Sequence, residues 1–375
     1  MATLFLCGDV MTGRGIDQML PHPCPPGIQE AYVRDAREYV ALAERVNGPI
    51  ERPVAPGYIW GDALQELERA APDARIINLE TSVTTSDDFW PGKGIHYRMH
   101  PQNVECLTRA GIDVCVLANN HVLDYGRTGL AQTIAALTDA GLKVAGAGAS
   151  LQQAREPAVI ELDGGGRILA FAVGAGDSGI PGAWAATPAS SGVDLLPDFS
   201  DAAADDLLDR VRRRKQPGDV VVLSIHWGSN WGYDVPDEHI RFAHRLLDGS
   251  VDVIHGHSSH HPRPIEIYRN KLVLYGCGDF ITDYEGIPGY ELFRDDLVLM
   301  YFPRLDPESG EIVELRMTPM QVRRMQLVRP SARDRDWLCE RLATVSKRFG
   351  CEITIGGDGS RLEAHSRVPS RSASR

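Results

Sequence analysis

The chain has 375 residues, enough for one large α/β domain with insertions or for two domains, and such a length buries a full core without disulfides. Its 39 basic and 51 acidic residues leave a formal charge of -12, which argues against a broad nucleic-acid-binding face. The 7 cysteines include no close-spaced pair, so thiolate metal sites are excluded and reduced thiols in a reducing compartment are expected.

The sequence enters a strand at once, over residues 1–7, with no basic region followed by a long apolar one. No membrane segment is therefore expected, and the cytoplasm is the default location. A glycine-rich turn follows over residues 8–15; no Gly-Lys-Ser/Thr comes after it, so it is not a phosphate-binding loop. Two proline-rich stretches, 21–26 and 47–57, bracket a helix-compatible segment at 31–46 that carries Tyr32, Tyr39, Leu42 and Val46 on one side. It reads as an insertion over one rim of a site. A helix from about residue 58 to 71 leads to a strand at 74–77 that ends in Asn78-Leu79-Glu80. The polar, aromatic loop 81–94 and a short strand at 96–99 offer Trp90, Lys93, His96 and Arg98 as substrate contacts.

After a helix at 101–110 comes the stretch around which the chain is organised, 114–126. It is an apolar run that delivers Asn119, Asn120 and His121. Helix 130–140 and strand 143–147 continue a rhythm that indicates a largely parallel sheet. A hairpin is expected within 156–175 about Gly164-Gly165-Gly166, then a lid-like loop at 176–200, and helices at 202–215 and 237–248. The basic run at 212–215 suits the negative end of its own helix. The strand at 220–225 ends in His226-Trp227-Gly228, and that at 251–254 in His255-Gly256-His257-Ser258-Ser259-His260-His261. Further strands are expected at 272–275, 297–302 and 311–319, a helix at 334–349, and a disordered Ser/Arg-rich tail at 366–375. In domain terms, 1–290 forms the main domain and 291–365 completes it.

Five strand ends thus carry acids, amides and histidines. Asp9 and Glu80 are hard oxygen donors, Asn120 is a neutral one, and His226, His257 and His260 are nitrogen donors. That mixture suits one or two divalent ions of Mn, Fe or Zn better than a calcium cage. Glu80 is the candidate bridging ligand. His121 and His260 are the candidate proton-transfer groups, and Asn78, Asn119, Trp227 and Arg98 the candidate substrate contacts.

The ordered motifs Asn78-Leu79-Glu80, Leu117 through Gly126, His226-Trp227-Gly228, Gly256 through His260 and Pro264-Ile265-Glu266-Ile267-Tyr268 resemble those of the CapA family of poly-γ-glutamate capsule synthesis proteins. The likeness runs from about Leu4 to Asp283. It implies a calcineurin-like metallophosphoesterase fold, a two-sheet β-sandwich flanked by helices in four layers, with the strand tips forming the metal site. Five residues depart from the pattern: Met11 stands where the wider fold has His, Glu80 where it has Asp, Ser258-Ser259 where relatives have His-Pro, and Asp279 where they have Asn. One of two metal positions is thereby short of a ligand.

The resemblance admits three roles. The first is metal-assisted hydrolysis of an amide or ester in a peptidic or poly-γ-glutamate-like substrate. The second is exchange of a Cα proton by a peptide epimerase, as in some CapA-like proteins beside ribosomal-peptide pathways. The third is a non-catalytic polyglutamate-binding scaffold. CapA-like capsule proteins are typically membrane-tethered, and no tether is read in this sequence. Oligomeric state is not readable from it.

Overall fold

The computed structural model describes residues 1–366. Apolar runs with β-branched residues form strands that pair parallel around the site, as Ala2–Val10 with Ala74–Leu79 and Val220–His226 with Val253–His257 do, and antiparallel toward the sheet edges, with helices covering them. The result is a mixed α/β architecture with two main sheets. In chain order, the strands that position the site are β1 (Ala2–Val10), β2 (Ala74–Leu79), β3 (Val114–Val116), β4 (Val220–His226), β5 (Val253–His257) and β6 (Asp279–Ile281). Two long strands, β7 (Leu297–Leu305) and β8 (Ile312–Arg323), follow.

The larger sheet runs Cys351–Ile355, Leu362–Ser366, β8, β7, β1, β2, β3, Lys143–Ala145, with β6 alongside β1 and Gln326–Val328 alongside β8. The smaller runs Ile265–Tyr268, Lys271–Leu274, β5, β4, Arg167–Gly174, Ala158–Glu161. Strand periodicity sorts the smaller sheet's side chains between two cores. Ile168, Ala170, Val220, Val222 and Val253 join Leu4, Leu6, Ile76 and Val116 of the larger sheet. Leu169, Phe171, Val221, Leu223 and Ile254 pack instead on Leu207, Leu208, Phe242 and Leu246 of the helices Asp201–Arg214 and Asp237–Gly249. His255 fastens the two sheets: its Nδ1 lies 2.6 Å from Ser224 Oγ and its Nε2 2.7 Å from the Cys7 carbonyl of β1. Both of its ring nitrogens are thereby engaged within the protein.

Several expectations need correction. β1 extends to Val10, so Asp9 lies in a strand and not in a turn. The organising strand is only Val114–Val116, and the polar run after it is a compact turn held by Asn119 N to Leu117 O at 2.9 Å. The rim helix begins at Arg37, leaving Tyr32 98% exposed on a loop. A hairpin of Cys351–Ile355 and Leu362–Ser366, unread in the sequence, reaches into the residue at which the tail was expected to begin. The rest of the expected tail, 367–375, lies outside the described residues. All 7 cysteines are free and buried. Among the described residues no helix is long and apolar enough to cross a membrane.

Candidate metal centre

The C-terminal ends of β1, β2, β4 and β5 meet, and β6 begins beside them. Asp9 lies opposite Asn78 on one flank and Asp279 on the other, while His226 lies opposite His257 in the second sheet. This close packing depends on Gly8, where an added Cβ would sit 1.6 Å from the Gly278 carbonyl oxygen. The ligand atoms of Asp9, His226 and His257 all lie within 4.8 Å of one another. Asp9 Oδ1 accepts from Asn78 Nδ2 at 2.7 Å, and Asn78 Oδ1 in turn accepts from Asn119 Nδ2 at 2.9 Å. The Ser258 amide donates to Asp9 Oδ2 at 3.2 Å from a backbone with φ of +99°, a strained conformation for a side-chain-bearing residue. His226 reaches His257 Nδ1 through its own Nδ1 at 2.8 Å and Asn120 Oδ1 through Nε2 at 3.2 Å.

Burial shifts four of these groups. Desolvation, then the neighbouring Asp279 carboxylate, raises Asp9 to about 7, and desolvation together with Asp9 raises Glu80. Desolvation lowers His226 and His257, which keeps both imidazoles neutral and available as ligands. Glu80 Oε2, His257 Nε2 and Asp279 Oδ2 are buried with no hydrogen-bond partner. Orphaned polar atoms in one acidic cluster are what a divalent cation would satisfy, so the residues fit such an ion.

Two imidazoles backed by buried carboxylates flank the cluster. His121 Nδ1 lies 2.6 Å from Asp124 Oδ2 and 3.0 Å from Lys93 Nζ. One ring nitrogen cannot serve both; the carboxylate is closer, and Lys93 has the Asn120 carbonyl and Asp124 as acceptors. That assigns the proton to Nδ1 and leaves Nε2 bare, 3.6 Å from Glu80 Oε1. Desolvation lowers His121 to about 4, against the opposing pull of Asp124. His260 differs: although desolvation lowers it, Asp279, 2.8 Å from its Nδ1, raises it above its ordinary value. Desolvation and Asp279 likewise push Asp295 up to about 7.

Thus Asp9, Glu80, Asn120, His121, His226, His257 and His260 gather at one place. The four expected substrate contacts do not open onto it. Asn78 and Asn119 are fully buried and spend their amides on Asp9, Asn78 and the Leu79 carbonyl, so they hold the site from beneath. Trp227 is 1% exposed, stacked on His239 and bonded to the Tyr275 carbonyl. Arg98 is buried against Tyr125 and bonded to Ser86 O and Asp87. Met11 is buried and receives a contact from the Tyr284 hydroxyl at 3.6 Å, an apolar position where a ligand was looked for. Asp279 and the Ser258 amide join the site without having been counted in it. The first was visible as an unusual residue in its motif, and the second leaves no trace in the sequence because it is a matter of backbone conformation.

The family described as bacterial capsule synthesis protein PGA_cap matches residues 3–284. The chain is similar to the probable polyglutamine synthesis accessory protein of Mycobacterium tuberculosis, 49% identical over 359 residues that cover 96% of this chain and 94% of the relative. It is 24% identical to the capsule biosynthesis protein CapA of Bacillus anthracis over 85% of this chain and 67% of the relative. It is also 29% identical to the PGA biosynthesis protein CapA of Bacillus subtilis over 60% of this chain and 56% of the relative. With the family's motifs converging on one buried cluster, the chain belongs to the bacterial capsule synthesis protein PGA_cap family.

Proposed function

We propose that this chain is a metal-dependent enzyme of polyglutamate or peptide metabolism, built on the two-sheet sandwich of the calcineurin-like phosphoesterases, that hydrolyses an amide or ester bond. The observation that carries this reading is the set of orphaned buried atoms on Glu80, His257 and Asp279 around the Asp9–His226–His257 cluster. Asp9, His226 and His257 would hold one Mn, Fe or Zn ion, and Glu80 and Asn120 are the further donors available to a weaker second. A bound ion supplies Lewis acidity to a substrate carbonyl and acidifies water.

The protein's own groups handle the protons. His121, neutral and fixed by Asp124, offers bare Nε2 as a base toward the Glu80 side of the cluster. His260, raised by Asp279 at its Nδ1 and facing Asn230 Nδ2 at 3.0 Å through Nε2, is the second proton-handling group, on the other side. Lys93 clamps the His121 turn through Asn120 O and Asp124. Two groups so arranged also support the second reading, epimerisation at a peptide Cα, which needs two proton-handling groups about one carbon. The word accessory in a relative's name fits the third, a scaffold without chemistry.

Elemental analysis of protein purified without chelator tests the proposal. Wild type should carry one or two transition ions, and an Asp9→Ala, His257→Ala double variant none. Peptide fragment release then separates hydrolysis from epimerisation, which instead incorporates deuterium. A wild type that stays empty in excess Mn or Zn would leave the scaffold.

A further inference from the structure

Beside His260 opens a cavity of ≈ 520 Å³ that the acid/base chemistry does not use. Its apolar walls come from separate segments: Tyr32, Ile95, Trp231, Tyr284 and Tyr290. Trp231 lies flat on Tyr290 with centroids 4.0 Å apart, which makes that wall stiff. Its cations are already taken. Arg14, at the floor, gives Nη1 to Glu30 and to the Tyr39 hydroxyl, each at 3.0 Å, and Nε and Nη2 to Asp283, so two carboxylates surround one guanidinium. His260 is held by Asp279. Asp295 alone among the lining acids has no ion pair or side-chain hydrogen bond within the described residues.

A carboxylate entering this groove would meet Asp295, an over-neutralised arginine and the electron-rich faces of tyrosines, with no free cation to receive it. A polyglutamate side chain therefore does not suit it. An aliphatic stem would cover the aromatic walls, and a positive head beyond it would meet ring faces and draw Asp295, whose carboxyl is otherwise raised to about 7, into its ionised form. We infer that this groove receives a cationic side chain with an aliphatic stem, of the lysine or ornithine kind, from a substrate whose reacting bond lies at the metal cluster. The inference rests on the enzymatic reading above only for the placement of that bond.

Ligand-observed NMR titrations of the full chain test it with three probes: Nα-acetyl-lysine methylamide, the norleucine analogue of equal stem and no charge, and the glutamate analogue. The lysine probe should bind roughly tenfold more tightly than norleucine, the gain expected of a cation at a carboxylate and aromatic rim, and glutamate more weakly than either. Asp295→Asn should remove the lysine preference while leaving norleucine affinity and metal content unchanged, and Asp295→Glu should restore it. Equal affinities for lysine and norleucine, tightest binding of glutamate, a preference that survives Asp295→Asn, or no binding of any probe would each overturn the assignment. Metal uptake separates the two readings. A chain that prefers lysine yet takes up no Mn or Zn refutes the enzyme and keeps the groove, and a metal-loaded chain without the preference does the reverse.

Discussion

Asp9 shows how a single position sets the behaviour of the site. Its carboxyl is raised to about 7, so below that pH the metal-free protein holds a proton where an ion would bind, and Glu80 is displaced in the same direction. His226 and His257, lowered, do not compete for protons in that range. The sign follows: each proton that must leave costs affinity as pH falls, about tenfold per pH unit below 7 for one proton. Mn affinity measured by calorimetry from pH 8 to 5.5 should therefore weaken toward acid, and a flat profile would refute the assignment of Asp9. A second residue-scale expectation concerns His260. Because Asp279 is what raises it, Asp279→Asn should lower the His260 titration midpoint in imidazole NMR, whereas an unchanged midpoint would mean that the 2.8 Å contact does not govern its charge. Asp9, Glu80 and the histidines were legible because their residue types stand at the ends of apolar runs. Asp279 was legible only as an oddity, since it opens β6 while its partner His260 lies 19 residues away on a loop.

Elements bring these residues together by touching at bare backbone. Gly8 in β1 lies so close to Gly278 that any side chain would collide with the carbonyl entering β6. Gly8→Ala should cost more than about 3 kcal/mol, in the range of backbone displacement in a core, and should lower the thermal midpoint and metal affinity together. A variant that melts within a degree of wild type would show that β1 and β6 have more room than this. Strand identities, their order in the chain and the 156–175 hairpin were readable from apolar runs and the glycines between them, because those patterns are written locally. Element limits were not. The polar end of β1 reads as a turn because Asp9 is rare in strands, yet pairing with Asn78 and Asp279 on either side keeps it extended. The four supposed substrate contacts were misread for a related reason. Polar side chains near a site look functional in sequence, and whether each faces the cleft or the packing beneath it depends on neighbours from other elements.

For the whole molecule, the C-terminal strands are structural partners of the first. β7 pairs antiparallel with β1, and β8 continues the sheet from β7. A chain ending at residue 290 would expose the β1 edge and the core residues Leu4, Phe5 and Leu6 that pack under it. We expect that truncation to lack a cooperative thermal transition by calorimetry; a sharp transition would instead make 1–290 an autonomous domain. The sequence by itself determined which strand tips carry acids, amides and histidines and which family the chain resembles, because residue type and local apolar runs are properties of short segments. Tertiary structure alone decided that Ser258 turns its amide onto Asp9, 249 residues distant in sequence, and that His255 is a bolt between sheets on a carbonyl 248 residues away. It also decided that an aromatic-walled groove lined by Asp295 lies beside His260. Burial and hydrogen-bond partnership are set by whichever distant segments come to pack there, and no local pattern records them.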